Sequence, residues 1–169
     1  GSLATLDLGS NQLNNTTSLA PGTFDGLGSL ATLGLRENQI TSIAPGTFDG
    51  LGSLATLDLG SNQITSIAPG TFDGLGSLTA LDLGYNRFGE FDWTTSQPKT
   101  IALGAFNGLE SLTELNLGSN FFGSNMLPGL FDGMGNLTAL NLASNYITSI
   151  APGMFNRLTN LTSLDLGYN

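Results

Sequence analysis

The chain has 169 residues with no cysteine and no histidine, and its 4 Lys plus Arg against 13 Asp plus Glu give a net charge of −9. Without Cys or His it has no zinc finger, no thiol nucleophile and no Ser-His-Asp triad. The charge argues against nucleic acid and anionic membranes as partners, and no apolar run approaches the roughly 18 residues of a membrane span.

The chain repeats itself with a period of about 24 residues. Residues 27–50 read LGSLATLGLRENQITSIAPGTFDG and residues 51–74 read LGSLATLDLGSNQITSIAPGTFDG, so they differ at three positions. An Asn closes the first half of each unit and a Phe recurs in the second half. We divide the chain into one solenoid domain, 1–169, with units at about 1–26, 27–50, 51–74, 75–108, 109–133, 134–157 and a partial 158–169. Insertions of three, ten and one residues fall in units one, four and five.

Each unit predicts a short strand, a turn and a return segment. In unit three, Leu57 and Leu59 alternate with polar residues, which is typical of a half-buried strand. The Asn side chain is expected inside the turn, bonding backbone groups of adjacent units. Ile64, Ile67 and Phe72 then return inward, with a short helical or 3-10 turn before the Phe. The predicted strands, which form one parallel sheet, are centred on Leu6, Leu33, Leu57, Leu81, Leu115, Leu140 and Leu164.

The pattern LxxLxxLxLxxNxLxxIxxxxFxx closely resembles the "typical" extracellular-type leucine-rich repeat over essentially the whole chain. The resemblance implies an α/β-type, mostly β solenoid: a right-handed, curved array with a parallel concave sheet and short turns or 3-10 segments on the convex side. It also implies an extracellular or cell-surface location, as in the similar Toll-like receptors, small leucine-rich proteoglycans and variable lymphocyte receptors. Those relatives carry cysteine-rich caps, which this chain lacks. We therefore interpret it as a fragment or an engineered array, and expect its open ends to self-associate.

The main functional hypothesis is a non-catalytic module that binds a protein or glycan through its concave face and the insertion of unit four. The differences between units two and three fall on the concave strand or its flank, whereas exposed convex positions match, which favours recognition over drift. These differences are Gly34 against Asp58, Arg36 against Gly60, and Glu37 against Ser61.

Aromatic residues outside the recurring Phe occur only from Tyr85 onward. Phe88 and Phe122 replace an Ile of the repeat and are expected in the core. Phe91 and Trp93 lie in the ten-residue insertion, which either contributes to binding or folds back to cover the solenoid edge. Trp, Tyr and Arg are the usual anchors of interfaces. The candidate binding residues are Tyr85, Arg87, Phe91, Trp93, Glu114, Phe121, Tyr146, Arg36, Glu37, Asp58 and Asp82.

A column of mostly acidic residues crosses the predicted strands. Within it, Asp58 and Asp82 would lie about 4.8 Å apart, near the roughly 5 Å of a retaining glycosidase pair. An open, solvated column does not divide two carboxyls into acid and base, so we expect no enzymatic activity, no cofactor and no metal. A calcium site formed by these carboxylates is an alternative, although Gly34 interrupts the column.

Asn-x-Ser/Thr acceptors begin at Asn14, Asn15, Asn136 and Asn160 and predict glycosylation, with the first insertion the best placed. A second class of function is structural. A regular array of this kind could be an adhesive element of a cell surface, wall or extracellular assembly, or an engineered consensus scaffold. Caps and an anchor in the flanking sequence would favour a receptor, whereas many more near-identical repeats would favour an array.

Overall fold

The computed structural model describes residues 2–13, 19–124 and 126–169. Within these ranges, seven short strands form one parallel sheet in chain order: β1 (Thr5–Asp7), β2 (Thr32–Gly34), β3 (Thr56–Asp58), β4 (Ala80–Asp82), β7 (Glu114–Asn116), β8 (Ala139–Asn141) and β9 (Ser163–Asp165). An antiparallel pair, β5 (Phe91–Asp92) and β6 (Gln97–Pro98), occupies the insertion of unit four. The strands and the parallel sheet predicted from the repeat are confirmed.

The register of the sheet keeps the central leucines opposite one another. Leu57 of β3 pairs with Leu33 and Leu81, and all three are buried. Because side chains alternate along a strand, the residues flanking each leucine point to the concave face. That face consists of two columns, one from the first and one from the third residue of each strand. The first column is Thr5, Thr32, Thr56, Ala80, Glu114, Ala139 and Ser163, and the second is Asp7, Gly34, Asp58, Asp82, Asn116, Asn141 and Asp165.

Aromatic stacks fill the core on the side away from the sheet. The recurring Phe rings of units one to four lie 6.0, 6.2 and 6.3 Å apart between neighbouring centroids. Phe88 and Phe122 are buried as predicted, with centroids 6.3 Å apart. The return segments make single turns, such as the Thr71 N–H to the Ala68 carbonyl at 3.3 Å. No helix forms in the described ranges, so the expected helical or 3-10 segments are turns.

The buried Asn of each turn joins its own unit to the preceding one. Nδ2 of Asn86 donates to the carbonyls of Leu83 at 3.1 Å and of Leu59, in the preceding unit, at 3.0 Å. Its Oδ1 accepts the N–H of Ile64, also in the preceding unit, at 2.9 Å. The predicted role of the Asn is therefore confirmed. The same paired Nδ2 bonds recur at Asn38, Asn62, Asn120, Asn145 and Asn169.

The single inserted residue of unit five interrupts this ladder. Oδ1 of Asn145 is buried and has no hydrogen-bond partner in the described part of the chain. The N–H of Gly123 donates instead to the backbone carbonyl of Asn145, at 2.9 Å. The next residue, Tyr146, has a left-handed φ of 59°, which is an unfavourable conformation for a bulky L-residue. Tyr146 is therefore held in a strained conformation at the edge of the sheet.

Apolar side chains are less covered in the outermost strands. Leu164 of β9 is exposed and Leu6 of β1 is half-buried, whereas Leu57 of β3 is buried. In a solenoid each unit is covered by its neighbours on both sides, which accounts for the difference. The expected self-association through these surfaces remains a prediction.

We expect Asn86→Ala to lower the free energy of unfolding by about 2–4 kcal/mol, because it leaves buried backbone groups of two units without partners. Urea denaturation measures this loss. Asn11→Ala is the matched control, since Asn11 is exposed and, within the described residues, donates to the carbonyls of Leu8 and Gly9 of its own unit alone. Equal losses in the two variants would contradict a role for the Asn in joining units.

Candidate functional site

The concave face of the sheet carries two grooves. The larger groove, about 510 Å³, crosses β3, β4, β7, β8 and β9. The smaller groove, about 400 Å³, crosses β1, β2 and β3, and Asp58 lines both. Of the candidate residues, Asp82 and Glu114 also line the larger groove, whereas Arg36 and Glu37 line the smaller one.

Arg36 lies at the boundary between the grooves. Its Nε is 3.3 Å from Oε1 of Glu37, and its Nη1 is 4.0 Å from Oδ2 of Asp82. Asp82 belongs to the unit after next, and the guanidinium crosses Gly60, where an added Cβ would lie 3.1 Å from Nη1. Two of the three differences between units two and three therefore belong to one ion-pair cluster. They have an intramolecular cause and do not by themselves favour recognition.

The carboxylates of the second column cap the turns that follow the strands. Oδ1 of Asp58 and Oδ1 of Asp82 each accept the backbone N–H two residues further on, at 2.9 and 2.8 Å. Oδ1 of Asn116 accepts the equivalent N–H at 3.0 Å, while its Nδ2 donates to Oδ1 of Asp82 at 2.9 Å. A neutral amide thus caps the turn with nearly the same geometry as a carboxylate.

Two carboxyl groups have shifted pKa values that follow from this geometry. Burial raises the pKa of Asp58, and the nearby Asp82 carboxylate adds to the rise, while the Gly60 N–H and the Arg36 charge oppose it. Hydrogen bonds from the Ser10 hydroxyl and from Arg36 lower the pKa of Glu37. The larger groove therefore contains a carboxylate that is partly removed from water and lies beside another carboxylate.

The ten-residue insertion forms the β5–β6 hairpin. Oδ1 of Asp92 accepts the N–H and the hydroxyl of Thr94 at 2.9 and 2.6 Å, which lowers the pKa of Asp92 and fixes the turn. Trp93 is 86% exposed and its ring meets Phe91 edge-on, with centroids 4.8 Å apart. The alternative in which the aromatic residues of the insertion cover the solenoid is therefore wrong for Trp93. Phe91 packs on Trp93 and remains 45% exposed.

Other exposed aromatic residues follow the strands at the same edge, because parallel strands all end on one side of a sheet. Tyr85 is 61% exposed. Phe121 and Tyr146 stack with centroids 5.9 Å apart and an interplanar angle of 14°. We call the set the aromatic edge, and it comprises Tyr85, Phe91, Trp93, Phe121 and Tyr146.

The structure groups the candidates as two surfaces rather than one cluster. In the described part of the chain, no ring contact joins Tyr85 to either aromatic pair. Arg87 is exposed at the aromatic edge, where its N–H donates to the Ile64 carbonyl at 2.9 Å. Asp165 was not among the candidates, yet it lines the larger groove. Its place in the acidic column was the signal that could have identified it.

The sequence also raised metal binding and glycosylation. Among the described residues, no group of three or more His, Cys, Asp or Glu could hold a metal ion. Asn136 and Asn160 are exposed, whereas Asn14 and Asn15 lie outside the described residues. Glycosylation remains a prediction at all four.

No helix long and apolar enough to span a membrane occurs within residues 2–13, 19–124 and 126–169.

A family model matches most of the chain. The model described as "Leucine rich repeat" matches residues 28–88, 94–146 and 124–169. No curated protein matches the chain significantly.

Solved structures share the fold. TLR13 in a "TLR13-ssRNA13 complex" is 29% identical to the chain with a TM-score of 0.78, over 96% of this chain and 21% of that one. The Toll–Spatzle complex, a molecular hub in Drosophila development and innate immunity, is 22% identical to the chain with a TM-score of 0.75. The match covers 90% of this chain and 19% of that one. At the latter identity the likeness shows the fold alone. The predicted solenoid fold is confirmed, and the chain spans about a fifth of each neighbour.

We expect Gly89→Ala, at the base of the hairpin, to lower the free energy of unfolding by about 3 kcal/mol or more. Gly89 has a φ of 89°, and an added Cβ would lie 2.1 Å from the Phe121 carbonyl oxygen. Gly133→Ala is the control, because Gly133 has a φ of 91° and nothing within 4 Å of the added Cβ. That variant should show only the conformational cost of about 1–2 kcal/mol. Equal losses in urea denaturation would mean that the hairpin base does not pack on unit five.

A second prediction concerns pH. The pKa of Asp58 in the folded protein lies above its ordinary value of 3.8, so its contribution to stability is present below that value and lost as pH rises through the folded-state pKa. Asp58→Asn keeps the Oδ1 acceptor and removes the charge. It should raise the free energy of unfolding at pH 7 and change it little at pH 3. The control is Asp73→Asn on an exposed turn, and an equal gain there would indicate an effect of net charge alone.

Proposed function

The chain belongs to the leucine-rich repeat family, and we propose that it is a non-catalytic recognition module. Its partner is a protein or a glycan that contacts the larger groove and the aromatic edge. The observation that carries the proposal is the exposure of Trp93, the single Trp of the chain, at the tip of the β5–β6 hairpin.

The aromatic edge has no role in the core that would explain it. Tyr85 occupies the slot held by Ser61 in unit three, and Phe121 and Tyr146 occupy that of Gln63. The solenoid therefore forms equally well with small or polar residues in these slots. Exposed, clustered apolar surface is unfavourable in water and is characteristic of interaction sites. Rigid aromatic side chains also supply much of the binding energy in protein interfaces.

The structural neighbours support a recognition function in general terms. TLR13 is in complex with ssRNA13, and Toll with Spatzle, so proteins of this fold bind macromolecules of different chemistry. For this chain we propose a location outside the cell or on its surface. The net charge of −9 favours a protein or glycan over nucleic acid, since phosphates would be repelled.

A second candidate function is a structural or adhesive array, or a consensus scaffold without a ligand. The observation that favours it is the near identity of residues 27–50 and 51–74, which differ at three positions. In such an array the exposed aromatic residues would have no common partner.

Alanine substitution distinguishes the two functions. The wild-type chain is first screened for binding against arrays of secreted proteins and glycans. Trp93→Ala and Tyr85→Ala should then each weaken the affinity for the partner by about 2 kcal/mol, measured by surface plasmon resonance. Ser61→Ala, in the slot equivalent to Tyr85, and Ser66→Ala, on the return segment, are the controls and should change the affinity little. Small, equal effects in all four variants would favour the structural array.

A further inference from the structure

We propose that the larger groove binds an extended, lysine- or arginine-rich segment of a partner protein. This inference rests on the proposed recognition function and names the chemistry of the partner. The concave sheet face is the docking surface, and its charge identifies the occupant.

The charges lining the larger groove are all negative. The groove is lined by residues of five neighbouring strands and includes four carboxylates and no basic side chain. The carboxylates are those of Asp58, Asp82, Glu114 and Asp165. A surface of one sign attracts and orients partners of the opposite sign.

The basic residues of the chain leave most of this charge uncompensated. Of the chain's 4 Lys plus Arg, only Arg36 forms an ion pair with the larger groove in the described part of the chain, 4.0 Å from Asp82. Arg36 lines the smaller groove and reaches Asp82 from there. In the described ranges neither Glu114 nor Asp165 has an ion-pair partner.

The fold does not require the charge on these strands. Oδ1 of Asn141, like that of Asn116, caps its turn with a hydrogen bond of 2.9 Å, and the same bond at Asp165 measures 2.8 Å. An Asn at every position of the column would therefore keep the turns. Retaining carboxylates places like charges on adjacent strands, which is unfavourable.

Glu114 gives the strongest independent indication, because it departs from the first column. Its neighbours across the sheet are Ala80 on β4 and Ala139 on β8. The exposed Glu carboxylate thus stands between two small residues with no cross-strand cation beside it. Glu is also unfavourable in strands. The small neighbours leave room for a long basic side chain to reach the carboxylate.

The spacing of the carboxylates suits an extended segment. From β3 to β9 there are four strand spacings, which is about 19 Å at 4.8 Å each. An extended peptide advances about 3.3 Å per residue and turns every second side chain to the same face. A segment of about six residues would therefore place about three side chains in the groove, enough to meet Asp82, Glu114 and Asp165.

The test uses a fluorescently labelled octalysine and fluorescence anisotropy at low ionic strength. The double variant Asp82→Asn, Glu114→Gln preserves shape and hydrogen-bond acceptors. It should weaken octalysine binding about fivefold or more, as expected for removing two charge pairs. The control is Asp49→Asn, Asp73→Asn, which changes the net charge equally on exposed turns, and it should weaken binding less than twofold. Wild-type binding should also weaken as salt is raised, because screening shortens the range of the charges.

Three results would overturn the proposal: equal weakening by both double variants, binding of a single-stranded RNA oligonucleotide in place of octalysine, or displacement of octalysine by stoichiometric Ca²⁺. If the first double variant does not fold, Glu114→Gln is compared with Asp73→Asn, since the Glu114 side chain has no ion-pair partner to lose in the described ranges. The probe is synthetic and needs no natural partner. A failure here, with a partner still dependent on Trp93, would reject the cationic segment and leave the recognition function in place.

Discussion

The hydrogen bonds of the buried Asn are the interaction on which the rest of the structure depends. Backbone hydrogen bonds between units continue past the three-residue strands, as from the Ser61 N–H to the Gly84 carbonyl, but carbonyls such as that of Leu59 are bonded by Asn side chains instead. Buried backbone groups of that kind must be satisfied. In each inner unit the Asn amide bonds carbonyls of its own and the preceding unit, as Asn62 does with Leu59 and Leu35. The same side chain therefore closes the turn and holds adjacent units together, and the leucines stack because the turns are stacked.

This constraint determines where the chain can vary. Between the strand and the Asn the spacing is constant, because a shift would separate the amide from its carbonyls. After the Asn the chain tolerates ten extra residues in unit four, which leave the sheet as the β5–β6 hairpin while β4 and β7 still pair in register. The single extra residue of unit five is less well accommodated. It leaves Oδ1 of Asn145 without a partner and Tyr146 at a positive φ.

The parts of the fold that follow from local periodicity were predictable from the sequence. The seven strand centres, the inward leucines and the bonding of the Asn all depend on spacing within one unit or between neighbours. The contact of Arg36 with Asp82 was not predictable, since it crosses a whole unit and depends on the absence of a side chain at Gly60. The β5–β6 hairpin was not predictable either. Asp92 caps its turn, and Trp93 packs against Phe91 rather than on the solenoid.

Membership of the family is shown by the repeated positions. It says nothing about the free positions, where residues depart from the repeat. Positions fixed by stacking follow the repeat, and they carry no information on a partner. Information on a partner comes from the free positions, where a residue departs from the repeat and no contact within the protein explains the departure. Arg36 departs but has an internal contact that explains it. Within the part of the solenoid that the structure describes, Glu114 and Trp93 depart with no such contact, Glu114 adding charge to the groove and Trp93 adding apolar surface beside it. A basic segment with a flanking apolar residue complements both the charged groove and the exposed Trp93. Neither surface alone would specify such a partner.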